Sequence, residues 1–175
     1  MKKILWFTLL ASAFLAASSL QVHKGSIKAH TEVFGDSTID PVTTKITSKL
    51  HMSKGITSIR GDVKVGMKYF VSDNEERDEH MYEALDTALF PVAVYTVTSV
   101  EKAASGYIIH GVMKLHGISK ALTLNAQIEE NGSTVHMRAN GSFLLTSYGI
   151  KPPKLLFLTV RDRIDLSIDV TFKKR

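Results

Sequence analysis

The chain contains no cysteine, so it forms no disulfide, no thiolate metal site and no cysteine-linked lipid anchor. Glycine-rich phosphate loops are absent, and so is the G-x-S-x-G turn that carries the nucleophile of many hydrolases. Aromatic residues make up only 8% of the sequence, with a single tryptophan. After the N-terminal segment, no stretch is long and apolar enough to cross a membrane as a helix. The fold must therefore be held by its core and its backbone hydrogen bonds alone.

The first residues differ in composition from the rest. Met1-Lys2-Lys3 is a short basic start, Ile4 to Ala17 is an apolar run, and two serines follow. This order is typical of a secretory signal peptide. An uncleaved membrane anchor is the alternative, but the run is shorter than the roughly 20 residues of a transmembrane helix. We expect residues 1–18 to be removed by a cut after Ser18 or Ser19, and residues 19–175 to form one domain.

The composition of the remaining chain is that of a globular protein, with 44% hydrophobic and 22% charged residues among 175. The formal net charge is +5 at pH 7, and the basic residues stand singly between apolar ones. Scattered charges of this kind form a solvated surface rather than the basic stripe of a nucleic-acid-binding protein. A lipid headgroup or a membrane surface is compatible with this charge as an anionic partner.

Apolar and polar residues alternate along most of the chain, which is the period of strands with one buried face. Segments of this kind lie at 46–52, 59–69, 109–116, 122–129 and 135–143. Two more strands are expected near 26–33 and 92–101. The clearest inward set comes last and comprises Ile164, Leu166, Ile168, Val170 and Phe172.

Turn signals separate these segments at Ser105-Gly106, His116-Gly117 and Asn131-Gly132. About eight antiparallel strands joined in this way predict an all-β meander. Closing the meander into a barrel removes the exposed edges that would otherwise aggregate.

Two segments interrupt the alternation. Residues 74–90 predict one main helix near residues 75–89, because Asn74 or Asp73 can cap it, acids crowd its first turn and Pro91 stops it. Residues 148–160 contain two consecutive prolines and an apolar run. They predict a long excursion that packs over one end of the barrel.

No recognisable constellation of groups for catalysis or metal binding is present. The seven histidines do not show the spacing of a zinc site, and His110, His116 and His136 are expected on polar strand faces. The acids between Glu75 and Glu79 could supply paired carboxylates, but a helix N-terminus that favours acids explains them more simply. The sequence therefore predicts no catalytic residue, no metal and no cofactor.

The predicted inward faces combine small residues with flexible methionines. A barrel of about eight strands either fills itself with side chains or holds one small ligand. Small and adaptable lining leaves room for an apolar guest, whereas glycines can equally relieve bends in a packed barrel. The pattern alone leaves both alternatives open. The residues concerned are Gly111, Met113, Ala126, Met137, Ala139 and Gly141.

Several motifs resemble those of the YceI family. The stretch Tyr107–Leu124 is similar to the family's strand ending in Leu-x-Gly, tight turn with a lysine, and next strand. Upstream, Arg77-Asp78-x-His80-Met81 and the later Phe90-Pro91 resemble the family's Arg-Asp-x-His-Leu stretch and its Phe/Tyr-Pro. The resemblance implies a periplasmic, lipocalin-like antiparallel barrel with a helix near one end. It also implies homodimers and a long hydrophobic tunnel for isoprenoid or fatty-chain lipids.

We therefore predict a periplasmic carrier of an amphipathic long-chain lipid, which is not an enzyme, binds no nucleic acid and contacts membranes at most transiently. The tail would lie inside the barrel, Phe157 would wall one end, and the helix would form the mouth. Arg77 would meet either the lipid head or a local salt-bridge partner. The predicted ligand-binding residues are Ile109, Met113, Leu124, Met137, Ala139, Phe143, Phe157, Met81, Tyr82 and Arg77.

Three other functions fit parts of the pattern. An outer-membrane barrel would share the export signal and the alternation, but it would point its apolar residues outward and carry aromatic girdles. A packed barrel that serves as a structural or stress-related interaction module would have no ligand cavity. An enzyme would need polar groups with perturbed pKa values that converge at the barrel mouth.

Overall fold

The computed structural model describes residues 17–33, 37–155 and 158–175; residues 1–16 of the predicted signal peptide and Phe157 lie outside these ranges. Within the ranges, no helix is long and apolar enough to span a membrane. Short 3₁₀ turns lie at Ile56–Ser58, Met67–Tyr69 and Leu145–Tyr148. The other elements are β1 (Ser18–Val33), β2 (Ser37–Ile39), β3 (Val42–Thr43), β4 (Ile46–Met52), β5 (Arg60–Gly66), α1 (Glu75–Ala84), β6 (Val92–Lys102), β7 (Tyr107–Leu115), β8 (Ile118–Asn131), β9 (Thr134–Leu144), β10 (Lys154–Leu155), β11 (Leu158–Thr159) and β12 (Arg163–Lys174).

Eight strands close into an antiparallel barrel in the order β1-β4-β5-β6-β7-β8-β9-β12. The closing pair is β1 with β12, whose register runs from Leu20 opposite Lys174 to His30 opposite Asp165. The short strands β2 and β3 pair with β1 nearer its C-terminal end. The predicted fold class, an all-β barrel of about eight strands with one main helix, is thus confirmed.

The tight turns lie close to where the sequence predicts them. His116 and Gly117 join β7 to β8 with φ values of 50° and 76°, the two positive values that a type I′ hairpin requires. Gly132 and Ser133 join β8 to β9, so Asn131 is the last strand residue. The prediction that His116 lies on a strand face is wrong, because Leu115 pairs directly with Ile118 and leaves His116 in the loop.

The first strand is longer than expected. It begins at Ser18 rather than near residue 26, because Ser19 exchanges two backbone hydrogen bonds with Arg175. The N–H of Ser19 donates to the Arg175 carbonyl at 2.8 Å, and the Ser19 carbonyl accepts in return at 2.9 Å. A bulge between Val22 and Lys24 breaks the alternation here, which hides the strand from the sequence pattern.

The strand predicted at 59–69 is shorter than expected. If the alternation of 59–69 continued to its end, Tyr69 would share the inward face of Val63 and Val65. β5 instead ends at Gly66, and the 3₁₀ turn that follows carries Tyr69 away from that face. Tyr69 is 57% exposed as a result. The prediction was wrong here because a 3₁₀ turn rotates successive side chains by about a third of a turn, not by half.

The helix begins where predicted and ends earlier. The side chain of Asn74 accepts a hydrogen bond from the backbone N–H of Arg77 at 2.9 Å, which identifies Asn74 as the N-cap. The helix ends at Ala84 rather than near residue 89, because Asp86 adopts a φ of 46° that a right-handed helix does not contain. The turn that follows carries Leu89 to the surface, where it is 67% exposed.

An ion-paired histidine ties the segment after β2 to the barrel wall. His30, on the outer face of β1, places its Nδ1 2.7 Å from Asp40 Oδ1 and its Nε2 3.5 Å from Glu32 Oε1. The hydrogen bond to Asp40 holds the pKa of His30 above its ordinary value of 6.5, and Glu32 adds to the effect. Lys28 lies 3.8 Å from the same Asp40 oxygen.

We expect Asp40→Asn to lower the pKa of His30 and to make the free energy of unfolding less dependent on pH. A histidine whose pKa rises on folding stabilises the native state fully below its unfolded pKa, and the contribution is lost as pH rises through the folded value. Wild type should therefore exceed the variant by more at about pH 5.5 than at about pH 8. NMR titration and urea denaturation measure both effects. An equal difference in stability at the two pH values would contradict the prediction.

Candidate ligand-binding cavity

The two ends of the barrel are packed differently. At the end where β1 begins and β12 ends, inward side chains fill the interior, and Leu20, Ile59 and Val135 are all 0% exposed. From the middle of the barrel towards α1, an apolar cavity of about 230 Å³ remains. The interior is therefore a pocket with a packed floor at one end and a hollow at the other.

Several inward side chains beside this hollow are only partly buried. Ala29 on β1, Val63 and Val65 on β5, and Leu166 and Ile168 on β12 point inward, yet each retains accessible surface. All five border the cavity. In a filled barrel of this size such positions would be closed off by the opposite wall. Their exposure is therefore to the cavity itself.

One face of α1 borders the hollow end. Its residues are Arg77, His80, Met81, Ala84 and Leu85, at the spacing of one side of a helix. The face is polar in its first half and apolar in its second half. Since His80 is exposed to solvent and also borders the cavity, the cavity meets solvent beside α1.

The remaining faces of α1 are fixed to the chain that precedes the helix. The buried carboxylate of Asp78 accepts a hydrogen bond from the backbone N–H of Ser72 at 2.8 Å. The hydroxyl of Tyr82 donates to the Phe70 carbonyl at 2.7 Å. These contacts hold the helix in one orientation. They determine which side of the helix faces the cavity, and no ligand is needed for it.

Two hydroxyls at the cavity are already hydrogen-bonded. Thr31 donates to the carbonyls of Arg161 and Arg163, and Tyr95 donates to the Leu122 carbonyl at 2.9 Å. Burial raises the pKa of Tyr95 well above its ordinary value, so this hydroxyl stays protonated. Of the described residues that border the cavity, Arg77 and His80 are the remaining polar ones.

Arg77 also makes the local contact that the sequence allowed. Its Nη1 lies 3.3 Å from Asp73 Oδ1, four residues earlier, and its side chain is 26% exposed. Because Asp73 is 89% exposed, this pair lies in solvent and contributes little to stability. Arg77 therefore borders the cavity, while its guanidinium is paired on the solvent side.

The structure brings together seven of the ten residues predicted to bind ligand. Ala139 and Tyr82 do not border the cavity: Ala139 is 1% exposed within the wall, and Tyr82 points to Phe70. Phe157 lies outside the described residues. The seven that border the cavity are Ile109, Met113, Leu124, Met137, Phe143, Met81 and Arg77.

The small inward residues do not create the free space in the way the sequence suggested. A Cβ atom on Gly111 would lie 2.4 Å from the ring of Tyr95, and one on Gly141 would lie 2.4 Å from Leu124. The room at these glycines is therefore taken by larger neighbours. The hollow lies instead beside short inward side chains such as Ala29 and Val63, which do not fill the centre of the barrel.

Sequence reasoning missed several wall residues. Tyr95 follows the alternation of β6 and could have been included by extending it. Phe70, Ile150 and Pro153 also border the cavity, but they come from irregular segments. Such segments carry no periodic signal, since their position depends on where the chain folds back over the barrel end.

Two motifs that are far apart in sequence meet at the hollow end. The ring of Phe90 stands 4.4 Å from that of His116, tilted by 57°. A Cβ on Gly117 would lie 2.9 Å from the same phenylalanine ring, so glycine lets the two segments approach closely. The Nδ1 atom of His116 lies 3.1 Å from the carbonyl oxygen of Tyr148. The β7–β8 turn thus anchors both the segment after α1 and the segment after β9.

In the three described ranges, no group of three or more histidine, cysteine or acidic side chains is arranged to hold a metal ion. Among those residues, every buried side-chain nitrogen or oxygen also has a hydrogen-bond partner. The chemistry of this cavity is therefore apolar contact along its length, with a cationic side chain near its opening.

Comparison with known sequences supports the fold. The YceI-like domain family model matches residues 17–172. The UPF0312 protein YE1254 of Yersinia enterocolitica is 32% identical over 87 residues, 45% of either chain. Protein YceI of Escherichia coli O157:H7 is 33% identical over 88 residues, 46% of either chain. By these matched segments, the chain spans about half the length of the curated relatives it matches.

Three solved structures share the architecture. BcnA of Burkholderia cenocepacia superposes with a TM-score of 0.74 at 10% identity, covering 84% of this chain and 95% of that one. The YceI protein of Campylobacter jejuni gives 0.69 at 16% identity, covering 81% and 88%. A polyisoprenoid binding domain from Saccharophagus degradans gives 0.66 at 10% identity, covering 90% and 99%. At such identities these likenesses show the fold. The family model, matched over most of the chain, shows that this protein belongs to the YceI family.

Proposed function

We propose that this protein binds an amphipathic long-chain lipid, an isoprenoid or a fatty chain, and carries it in the periplasm. The observation that carries the proposal is the apolar cavity of about 230 Å³ that opens beside α1. A hollow lined by apolar side chains favours an apolar guest, because water inside it would find few hydrogen-bond partners. The likeness to a polyisoprenoid binding domain agrees with this class of ligand.

The polar end of the cavity favours a ligand with a polar or anionic head. Arg77 and His80 lie one helical turn apart at the opening, whereas Met81, Ala84 and Leu85 continue the apolar lining inward. A lipid would therefore place its tail towards the barrel floor and its head beside Arg77. The hydroxyl of Tyr95 stays bound to the wall and is not proposed as a contact for the head.

We propose a binding role rather than catalysis. An active site needs a nucleophile or a base beside the place where a substrate would react. His80 also borders the cavity, but no free nucleophile lies beside it among the described residues, because the hydroxyls of Thr31 and Tyr95 are engaged with backbone carbonyls and Tyr95 is kept protonated. A packed interaction module, the alternative, accounts less well for inward side chains that remain accessible.

Filling the cavity should block lipid binding without unfolding the barrel. Ala29→Phe places a ring in the hollow. The variant should therefore no longer bind a fluorescent fatty acid, while its thermal stability changes little. The matched control is Ala139→Phe at a buried wall position that does not border the cavity. There, overpacking should cost about 1–3 kcal/mol. Equal destabilisation by both changes, with no lipid bound by wild type, would favour the packed module.

Removing the cationic group should weaken binding of lipids with anionic heads. Arg77→Gln should lower affinity for a fatty acid by about threefold to tenfold, because a charge-assisted hydrogen bond is lost. Affinity for the alcohol of the same chain length should change less. Arg138→Gln is the control, since Arg138 is exposed on β9 and pairs with Glu129. An equal loss of affinity for the acid and the alcohol would show that Arg77 does not bind the lipid head.

We also propose export with a cut after Ser18. Leu20 is 0% exposed, so a cut after Ser19 would place a charged amino group on a buried residue. A new terminus at Ser19 would instead stay next to the Arg175 carbonyl that its N–H already reaches. Intact-mass measurement of the periplasmic fraction should give a chain that starts at Ser19. An intact Met1 on a membrane-bound form would refute this.

A further inference from the structure

Large apolar side chains are exposed mainly at the end of the barrel where the cavity opens. Of the seven in the described residues, six lie at or beside the strand ends next to α1, and Val112 is the exception. Leu89 at 67% and Tyr69 at 57% are the most exposed of the six. We refer to this set as the apolar rim. It consists of Tyr69, Val71, Leu89, Val92, Ile118 and Leu144.

The rim is laid out along neighbouring strand ends. The ring of Tyr69 lies over Gly66, which pairs with Val92. Leu89 precedes Phe90, which packs on the β7–β8 turn, and Ile118 follows that turn. Leu144 is the last residue of β9. Five of the six exposed side chains therefore follow the mouth from β5 to β9 rather than being scattered singly over the surface. Val71 bridges to Val42 and lies beside β3.

Three lysines lie among the strand ends that carry the rim. Lys68 precedes Tyr69, Lys114 lies near the end of β7, and Lys120 lies near the start of β8; all three are exposed. None of them forms an ion pair with another described residue. The acids of this end lie on and around α1, from Asp73 to Asp86, and at Asp162 before β12. The three lysines lie instead at the ends of β5, β7 and β8, which would therefore be the part of the mouth that meets an anionic surface.

We propose that the apolar rim and its lysines dock on a lipid bilayer that contains anionic phospholipids, a proposal that rests on the lipid-carrier function. Apolar side chains enter the interface between headgroups and acyl chains, and nearby lysines are attracted to anionic lipids. Docking in this orientation brings the cavity opening to the membrane. A long-chain lipid then moves between bilayer and cavity without crossing water.

A bilayer fits this surface better than a second copy of the chain. Several rim residues are chain neighbours of cavity-lining residues such as Phe70, Ala93 and Leu145. A second copy seated on the rim would therefore cover the end at which the cavity opens. A bilayer both covers the rim and supplies the ligand. Homodimerisation, which the family resemblance implied, would then use another part of the barrel surface.

The test compares a rim variant with a matched surface variant. Leu89→Ser combined with Leu144→Ser removes two exposed leucines of the rim, and Val112→Ser removes an exposed apolar side chain from the middle of β7. Binding is measured by sedimentation with vesicles of phosphatidylcholine and phosphatidylglycerol. The rate at which a fluorescent fatty acid passes from vesicles to protein is measured alongside. Affinity for the same fatty acid in vesicle-free solution and the oligomeric state are measured for each protein.

The rim variant should bind vesicles about fivefold less than wild type, because less apolar surface is buried at the membrane. Its transfer rate should fall in parallel, while Val112→Ser behaves as wild type and both bind fatty acid normally in solution. Vesicles of phosphatidylcholine alone, or high salt, should weaken wild-type binding. Equal vesicle binding by wild type and the rim variant would overturn the proposal. So would a wild-type dimer that the rim variant dissociates.

The two proposals fail in different ways. If wild type binds no fatty acid in solution but its vesicle binding depends on the rim, the carrier function fails while the docking surface stands. If fatty acid is bound and transferred equally by all variants, the cavity stands and the docking surface fails.

Discussion

The pairing of β1 with β12 is the constraint on which the rest of the structure depends. This antiparallel ladder runs from Leu20 to His30 and turns an open meander into a closed barrel. Once the sheet is closed, every inward side chain competes for one interior volume, and the outward side chains cover a single polar surface. Without this pair, the inward faces of the first and last strands would lie at exposed edges.

Closure alone does not decide whether the interior is filled, and here the two ends differ. Large side chains such as Leu20 and Ile59 meet across the floor and exclude solvent. Nearer α1, short inward side chains such as Ala29 on β1 and Val63 on β5 border a cavity. The packed end supplies stability, and the hollow end is free to hold a ligand. Most of the exposed large apolar side chains of the described residues also lie at the hollow end.

Contacts far apart in sequence hold the mouth of the cavity. In the β7–β8 turn, the ring of His116 packs against Phe90 and lies next to the carbonyl of Tyr148. Asp78 holds α1 to the segment after β5. Asp78, Phe90 and His116 belong to the stretches that resemble YceI motifs. These stretches meet at the opening, and Arg77 and Met81 are among their residues that also border the cavity.

The sequence by itself determined the regular parts of the barrel strands, most of their inward faces, the hairpin turns and the start of the helix. Those features depend on local periodicity and on turn residues such as Gly117 and Asn74, which act over a few residues. Only the tertiary structure decided where the space lies. Ala139 is sealed in the wall and Ala29 faces the hollow, although both are small residues on inward strand faces. Gly111 gives its space to Tyr95 of the neighbouring strand. Which inward residue borders a cavity depends on the side chains that lie across the barrel, and an alternating pattern along one strand carries no information about them.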